Sequence, residues 1–132
     1  MNPIGVVHSA LKTREDAPRQ GDEGAPAATI SLEPSLADAL QGIGVGDEIL
    51  VITWLHEARR DVLEVHPRDD VSRPLAGVFA TRSSDRPNPL GLHRVTVPGI
   101  EGTELRVDPL EAIDGTPVVD IKPVTRADVA AR

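Results

Sequence analysis

The 132-residue chain has no cysteine and no tyrosine, one tryptophan, one phenylalanine and one methionine. Without cysteine there is neither a disulfide framework nor a thiolate metal site, which is compatible with a reducing compartment. Aromatic residues make up 2% of the sequence. That argues against the base-stacking surfaces on which single-strand-binding and RNA-recognition modules depend. No apolar run approaches the roughly 18 residues of a membrane span. The start, MNPIGVVHSALKTRED, lacks the basic, apolar and small-residue sequence of a secretory signal. The expectation is therefore a cytoplasmic protein with no membrane partner.

Positive charge is also scarce overall. The net charge of −7 disfavours nucleic-acid binding by bulk electrostatics, because such binding rests on cations that displace phosphate counterions. Charge is unevenly spread, however. From Arg59 to Arg94 there are seven arginines against five acids, a net of +2, which leaves −9 for the rest of the chain. An anionic ligand is expected at the middle of the sequence, although a small excess of this kind also arises from ordinary surface scatter.

What the chain does contain is a series of short β-type runs. They are PIGVV at 3–7, ATISL at 28–32, DEILVITWL at 47–55, DVLEV at 61–65, LAGVFAT at 75–81, HRVTV at 93–97, ELRVDPLEAI at 104–113 and PVVDIKPV at 117–124. Most are separated by Gly, Pro or Asp turns at the close spacing of an antiparallel barrel or sandwich. Only PSLADALQGI reads as helical, with Ser35 as N-cap, Leu36, Leu40 and Ile43 on one stripe, and Gly42 or Gly44 ending it. A parallel α/β fold needs helices alternating with strands, so one helix argues against it. The prediction is a mainly β, single-domain antiparallel barrel over residues 1–132 with one short helix, a polar loop at 12–26 and a C-terminal tail at 125–132.

Several patterns lead away from familiar chemistries. GIGVGD at 42–47 follows the helix and precedes a strand, the reverse of a nucleotide-binding glycine loop, so it reads as a helix stop and turn. His8, His56, His66 and His93 are scattered without a metal-ligand pair spacing. No nucleophile elbow or Walker-type loop is present.

ATRSSDRPNPLGLHRV at 80–95 is the most informative stretch. Pro87 and Pro89 stiffen it and push Arg86 and Asn88 toward extended geometry. Arg82 and Arg86 offer forked donors for a carboxylate or phosphate, Asn88 both donor and acceptor, and Gly91 close backbone approach or a positive φ. A preformed polar loop after a strand is where ligand sites tend to lie, but loops of this composition are as often plain turns. His56, at the end of the third β run, is equally open between a functional residue and a rim histidine. DGTP at 114–117 is first of all a hairpin signal.

Taken in order, IGVVHS, PRQ, VITWLHE, GVFATRSSDRPNPLGLHRV and DGTPVVDIKP resemble the TsaA-like (TrmO) family, over about Ile4 to Lys122. The long signature from Gly77 to Leu92 carries the likeness. The resemblance implies a compact β-barrel, a homodimer, and S-adenosylmethionine-dependent methylation of N6-threonylcarbamoyladenosine beside the tRNA anticodon. It implies cofactor contacts from Pro18, Arg19 and Gln20, from His56 and Glu57, from Arg82 and Leu92, and from Asp114, Gly115, Thr116 and Pro117. Arg86 and Asn88 then fall to the methyl acceptor, and His56 and Asp85 are the candidates for a base. The acidic charge and the lack of tyrosine, where relatives commonly continue D-I-K-P-Y, keep two alternatives open. One is methylation of a small metabolite, and the other is cofactor binding without catalysis.

Overall fold

A computed structural model describes residues 1–18 and 24–125. Residues 19–23 and 126–132 lie outside the described residues. Six strands close into an antiparallel barrel: β1 (Gly5–His8), β2 (Ala28–Leu32), β3 (Glu48–Trp54), β6 (Leu90–Glu101), β7 (Glu104–Asp108) and β8 (Pro117–Pro123). Their order around the barrel is β1-β2-β7-β6-β3-β8, with β8 returning to β1. Closure leaves no free edge in this sheet. The two remaining strands among the described residues, β4 (Glu64–Val65) and β5 (Ala76–Gly77), pair as a small hairpin outside it.

The barrel follows from period-two alternation. On β2 Ala28, Ile30 and Leu32 are buried, on β3 Ile49 and Val51, and on β6 Val95 and Val97, while the intervening residues are more exposed. All fifteen buried hydrophobic residues among the described residues are aliphatic, so the barrel is small enough to fill with Val, Ile, Leu and Ala. β3 is the best-connected strand, pairing with β6 from Glu48 to Trp54 and with β8 from Ile49 to Thr53, the latter with a bulge after Ile52.

Several boundaries differ from the sequence prediction. The 61–65 and 75–81 runs shrink to two-residue strands, because Leu63, Leu75 and Phe79 are exposed rather than part of a buried face. The HRVTV run instead extends to twelve residues, from Leu90 to Glu101. The predicted helix is a seven-residue 3₁₀ segment, Pro34–Leu40, with Glu33 at the N-cap, so Ser35 does not cap it. Proline at its first position explains the start. Leu40 and Ile43 pack on the core, whereas Leu36 stays at the surface. The 42–47 stretch is indeed a turn, with Gly42 and Gly46 at φ near +98° and +96° and the Gly44 N–H donating to Asp47 Oδ2 at 2.8 Å.

These connections divide the barrel into two ends. At one lie the 3₁₀ helix, the 42–47 turn and the β6–β7 hairpin. At the other lie the C-terminal ends of β1, β3 and β7 and the N-terminal ends of β2, β6 and β8.

Candidate functional site

The second end gathers the motif segments. β1 runs into residues 9–18, β3 into the His56–Glu57 turn, the 78–89 loop into β6, and residues 109–116 cross from β7 to β8. Short polar contacts tie these four connections together.

The 109–116 connection is anchored to the segment after β1. Asp114 N–H donates to Leu11 O at 2.7 Å and Gly115 N–H to Val7 O at 2.8 Å. Ser9 N–H donates to Asp114 Oδ1 at 2.9 Å, and Lys12 Nζ stands 3.3 Å from Asp114 Oδ2. The Ser9 N–H, with help from Lys12, holds the Asp114 carboxyl below the usual aspartate range. Gly115 sits at φ +85°, a conformation that an L side chain rarely adopts, and the buried Thr116 closes the turn by donating from Oγ1 to Ile113 O at 2.6 Å. Leu110 and Ala112 pack into the barrel core at this end, and Ile113 is buried beside them in sequence.

Arg14 then joins the segment after β1 to the other loops. Its guanidinium donates to Glu57 O at 3.2 Å and to Asp85 Oδ1 at 2.9 Å. Asp85 Oδ1 also accepts from Arg59 N–H at 2.8 Å, and Arg86 N–H donates to Arg59 O at 3.0 Å. Arg60 does similar work on the proline stretch. It donates to Pro87 O at 2.7 Å and Asn88 Oδ1 at 3.0 Å while lying 5.1 Å over the Trp54 ring. Pro89 O accepts from Leu55 N–H at 2.8 Å. The carbonyls of Pro87 and Pro89 are therefore occupied by the protein itself.

Side chains singled out from the sequence divide accordingly. Arg86 turns back on its own loop, donating from Nη1 to Thr81 O and Ser83 O at 3.0 Å each. Asn88 is exposed but spends its carbonyl oxygen on Arg60. Asp85 is the junction of Arg14 and Arg59, and Pro18 is half-buried at the end of the strap that Arg14 holds. Arg19 and Gln20 lie outside the described residues. His56, Glu57 and Arg82 are exposed, and their side chains make no hydrogen bond or ion pair among the described residues. Leu92 is 47% exposed on the outer face of β6, with Leu90 beside it at 44%.

Arg82 stands out by comparison. Of the seven arginines from Arg59 to Arg94, Arg59 pairs with Asp61, Arg60 with Pro87 and Asn88, Arg73 with Asp70, Arg86 with its loop and Arg94 with Glu48. Arg68 is engaged as well. Arg82 alone among these seven has no partner among the described residues. A guanidinium left free while its neighbours are paired is available to a carboxylate or phosphate.

Sequence reasoning missed Arg14 and Arg60, which assemble the loops, and three residues beneath them. Inside the barrel Thr53 Oγ1 lies 2.7 Å from His93 Nε2, and His93 Nδ1 bonds Glu111 Oε1. Thr53 is fully buried and His93 is 4% exposed. A Cβ on Gly91 would meet Thr53 Oγ1 at 2.5 Å and His93 Nε2 at 2.6 Å. Gly91 thus makes room for this contact, and not for a ligand or a positive φ. The signal was present, since Gly91, His93, Val95 and Val97 alternate on one face.

A surface depression of about 430 Å³ lies along β1 and β2 and is lined by Pro3, Gly5, Val6, Ser31, Leu32, Glu33, Pro34 and Pro117. It shares Gly5, Val6 and Pro117 with the motif stretches but none of the free polar side chains, and its lining presents a single ionisable group, Glu33. Free polar side chains, not concavity, mark the candidate site.

Comparison with known proteins follows this geometry. Residues 6–129 match the family model of the tRNA-methyltransferase O N-terminal domain. A probable S-adenosyl-L-methionine-binding protein of Methanothermobacter thermautotrophicus is 47% identical over 124 residues, covering 93% of this chain and 88% of that one. An S-adenosyl-L-methionine-binding protein of Archaeoglobus fulgidus is 43% identical over 122 residues, covering 92% and 86%. The fold matches a crystal structure of TrmO from Pseudomonas aeruginosa with a TM-score of 0.76 at 30% identity, over 96% of this chain. The chain spans 55% of that protein's length.

Proposed function

The chain belongs to the TrmO (TsaA-like) family, and from that premise we propose that it is an S-adenosylmethionine-dependent N-methyltransferase whose cofactor binds at the barrel end just described. The observation that carries the proposal is the free Arg82 guanidinium at the end where four motif-bearing connections meet. The donor set fits the cofactor. Arg82 and Arg19 supply cations for its carboxylate, the free Glu57 carboxylate an acceptor for its ammonium or ribose hydroxyls, and Leu92 an apolar face for its adenine. Asp114 is committed to Ser9 and Lys12, so the Asp114–Pro117 turn contributes mainly backbone and shape. The family resemblance assigns Pro18 and Gln20 to the cofactor as well, with Pro18 half-buried after the segment that Arg14 holds.

When bound, S-adenosylmethionine supplies an activated methyl group whose carbon–sulfur bond breaks with the electron pair left on sulfur. The protein's work is then to orient the acceptor nitrogen and to take its proton. His56 is the candidate base, because it is exposed and its ring is free among the described residues. Asp85 is a weaker one, with one carboxylate oxygen already bound to Arg14 and Arg59. Arg86 and Asn88 shape the acceptor side of the loop.

Family membership favours N6-threonylcarbamoyladenosine beside the tRNA anticodon as acceptor, in a cytoplasmic homodimer. The net charge of −7 favours a second reading, a small-molecule acceptor. Incubation with methyl-labelled cofactor and tRNA that carries or lacks the threonylcarbamoyl group separates them. Label in the carrying tRNA alone is the expected result. Label only in a small-molecule extract supports the second reading, and cofactor binding with no transfer to any acceptor overturns the assignment as an enzyme.

A further inference from the structure

Four polar residues are buried among the described residues: Ser9, Thr53, His93 and Thr116. Ser9 and Thr116 close local turns through Leu11 N–H and Ile113 O. Thr53 and His93 do not. They face each other from neighbouring strands inside an otherwise aliphatic barrel, and the chain of contacts continues from His93 to Glu111, whose side chain is 17% exposed. The Glu111 carboxylate only accepts, so a neutral His93 carries its proton on Nδ1. His93 Nε2 is then an acceptor and the Thr53 hydroxyl donates to it. No buried side-chain N or O among the described residues is left without a partner.

The position of this chain gives it a role. Thr53 on β3 lies three residues before His56 in the turn that follows, His93 directly follows Leu92 on β6, and Glu111 lies three residues before Asp114. The other hydrogen bonds of residues 109–116 among the described residues run to residues 7–12, to Pro26 or within the connection. Glu111 to His93 is therefore the polar tie between that connection and the opposite wall formed by β3 and β6. Apolar side chains would fill the same volume without a preferred direction, whereas three linked hydrogen bonding groups fix register as well as distance.

We propose that Thr53, His93 and Glu111 form a positioning chain for the cofactor site, holding the Asp114–Pro117 turn at a fixed distance from the Leu92 and His56 walls. The proposal rests on the reading that this barrel end binds S-adenosylmethionine. None of the three residues touches the cofactor; they act through the backbone segments that do.

The test is a pair of substitutions at Thr53, read as S-adenosylmethionine affinity by calorimetry beside thermal melting. Thr53→Val keeps the volume and removes the hydroxyl, and Thr53→Ser keeps the hydroxyl and removes a methyl group. The positioning chain predicts that Thr53→Val weakens binding about fivefold or more while Thr53→Ser stays within about twofold. This holds even though the serine variant, with a small void in the core, melts lower than the wild type. Equal affinity of Thr53→Val and wild type, or a greater loss in Thr53→Ser, overturns the proposal. Should the wild-type protein bind no S-adenosylmethionine, the reading of the site itself fails. If Thr53→Val does not fold, the wild type still decides: addition of the cofactor should move the His93 ring nitrogen resonances and leave those of His66, on the outer hairpin, in place. Unmoved His93 resonances overturn the proposal.

Discussion

Arg82, Asp114 and Gly91 show how differently single residues serve the same end of the barrel. Arg82 is a free cation on an exposed loop, so its removal should cost ligand affinity and little stability. Arg82→Ala is expected to weaken S-adenosylmethionine binding at least about tenfold by calorimetry, the scale of one lost charge-assisted contact, with an unchanged circular dichroism spectrum. Asp114 is a stability residue. Its folded carboxyl is held below the usual range by the Ser9 N–H and Lys12, so its contribution is fully present above the ordinary aspartate value and fades as pH falls below about 4. Wild type should therefore melt above Asp114→Asn at neutral pH, and the difference should shrink with acidification below that value. A constant gap across pH 2–7 would contradict this role. Gly91→Ala should lower the melting temperature, since the new methyl group meets Thr53 and His93 in a packed interior.

At the scale of elements, the strap after β1 explains how loops distant in sequence are assembled. Arg14 reaches the backbone of Glu57 and the carboxylate of Asp85, and Asp85 holds the Arg59 amide. Asp85→Ala should speed hydrogen exchange at the Arg59 amide, measured by mass spectrometry or NMR, while core amides such as that of Val97 keep their rates. Unchanged exchange at Arg59 would mean that Asp85 does not organise the loop. Strand alternation made β2 and β3 legible from sequence, because buried and exposed residues follow a strict period of two. The β4–β5 hairpin was over-read for the opposite reason. Its apolar residues Leu63, Leu75 and Phe79 face solvent, and hydrophobicity alone does not say which face is covered. The 3₁₀ segment was legible as a helix but not in type or cap, since proline at its first position overrides the choice of Ser35.

For the whole molecule, closure of the sheet brings the four motif-bearing connections to one end, which no local pattern predicts. The motif stretches were readable in sequence as units, while the Arg14 strap and the Thr53, His93 and Glu111 chain depend on contacts between residues 18 to 71 positions apart. Charge is likewise a property of the whole. The net charge is −7, and seven of the nine arginines among the described residues are engaged within the protein, so the described residues leave few cations to spare for a phosphate backbone. Any tRNA binding should weaken about tenfold or more between 50 and 200 mM salt if two or three phosphates are neutralised, and a salt-independent affinity would point away from backbone contacts. The most direct test of the central claim is to titrate S-adenosylmethionine into the isotopically labelled protein and map the amide shifts. A cofactor site at this end of the barrel should shift His56, Glu57, Arg82, Leu92, Gly115 and Thr116, with the β6–β7 turn at Gly102 unaffected. Shifts confined to the Gly102 end, or none at saturating cofactor, would contradict it.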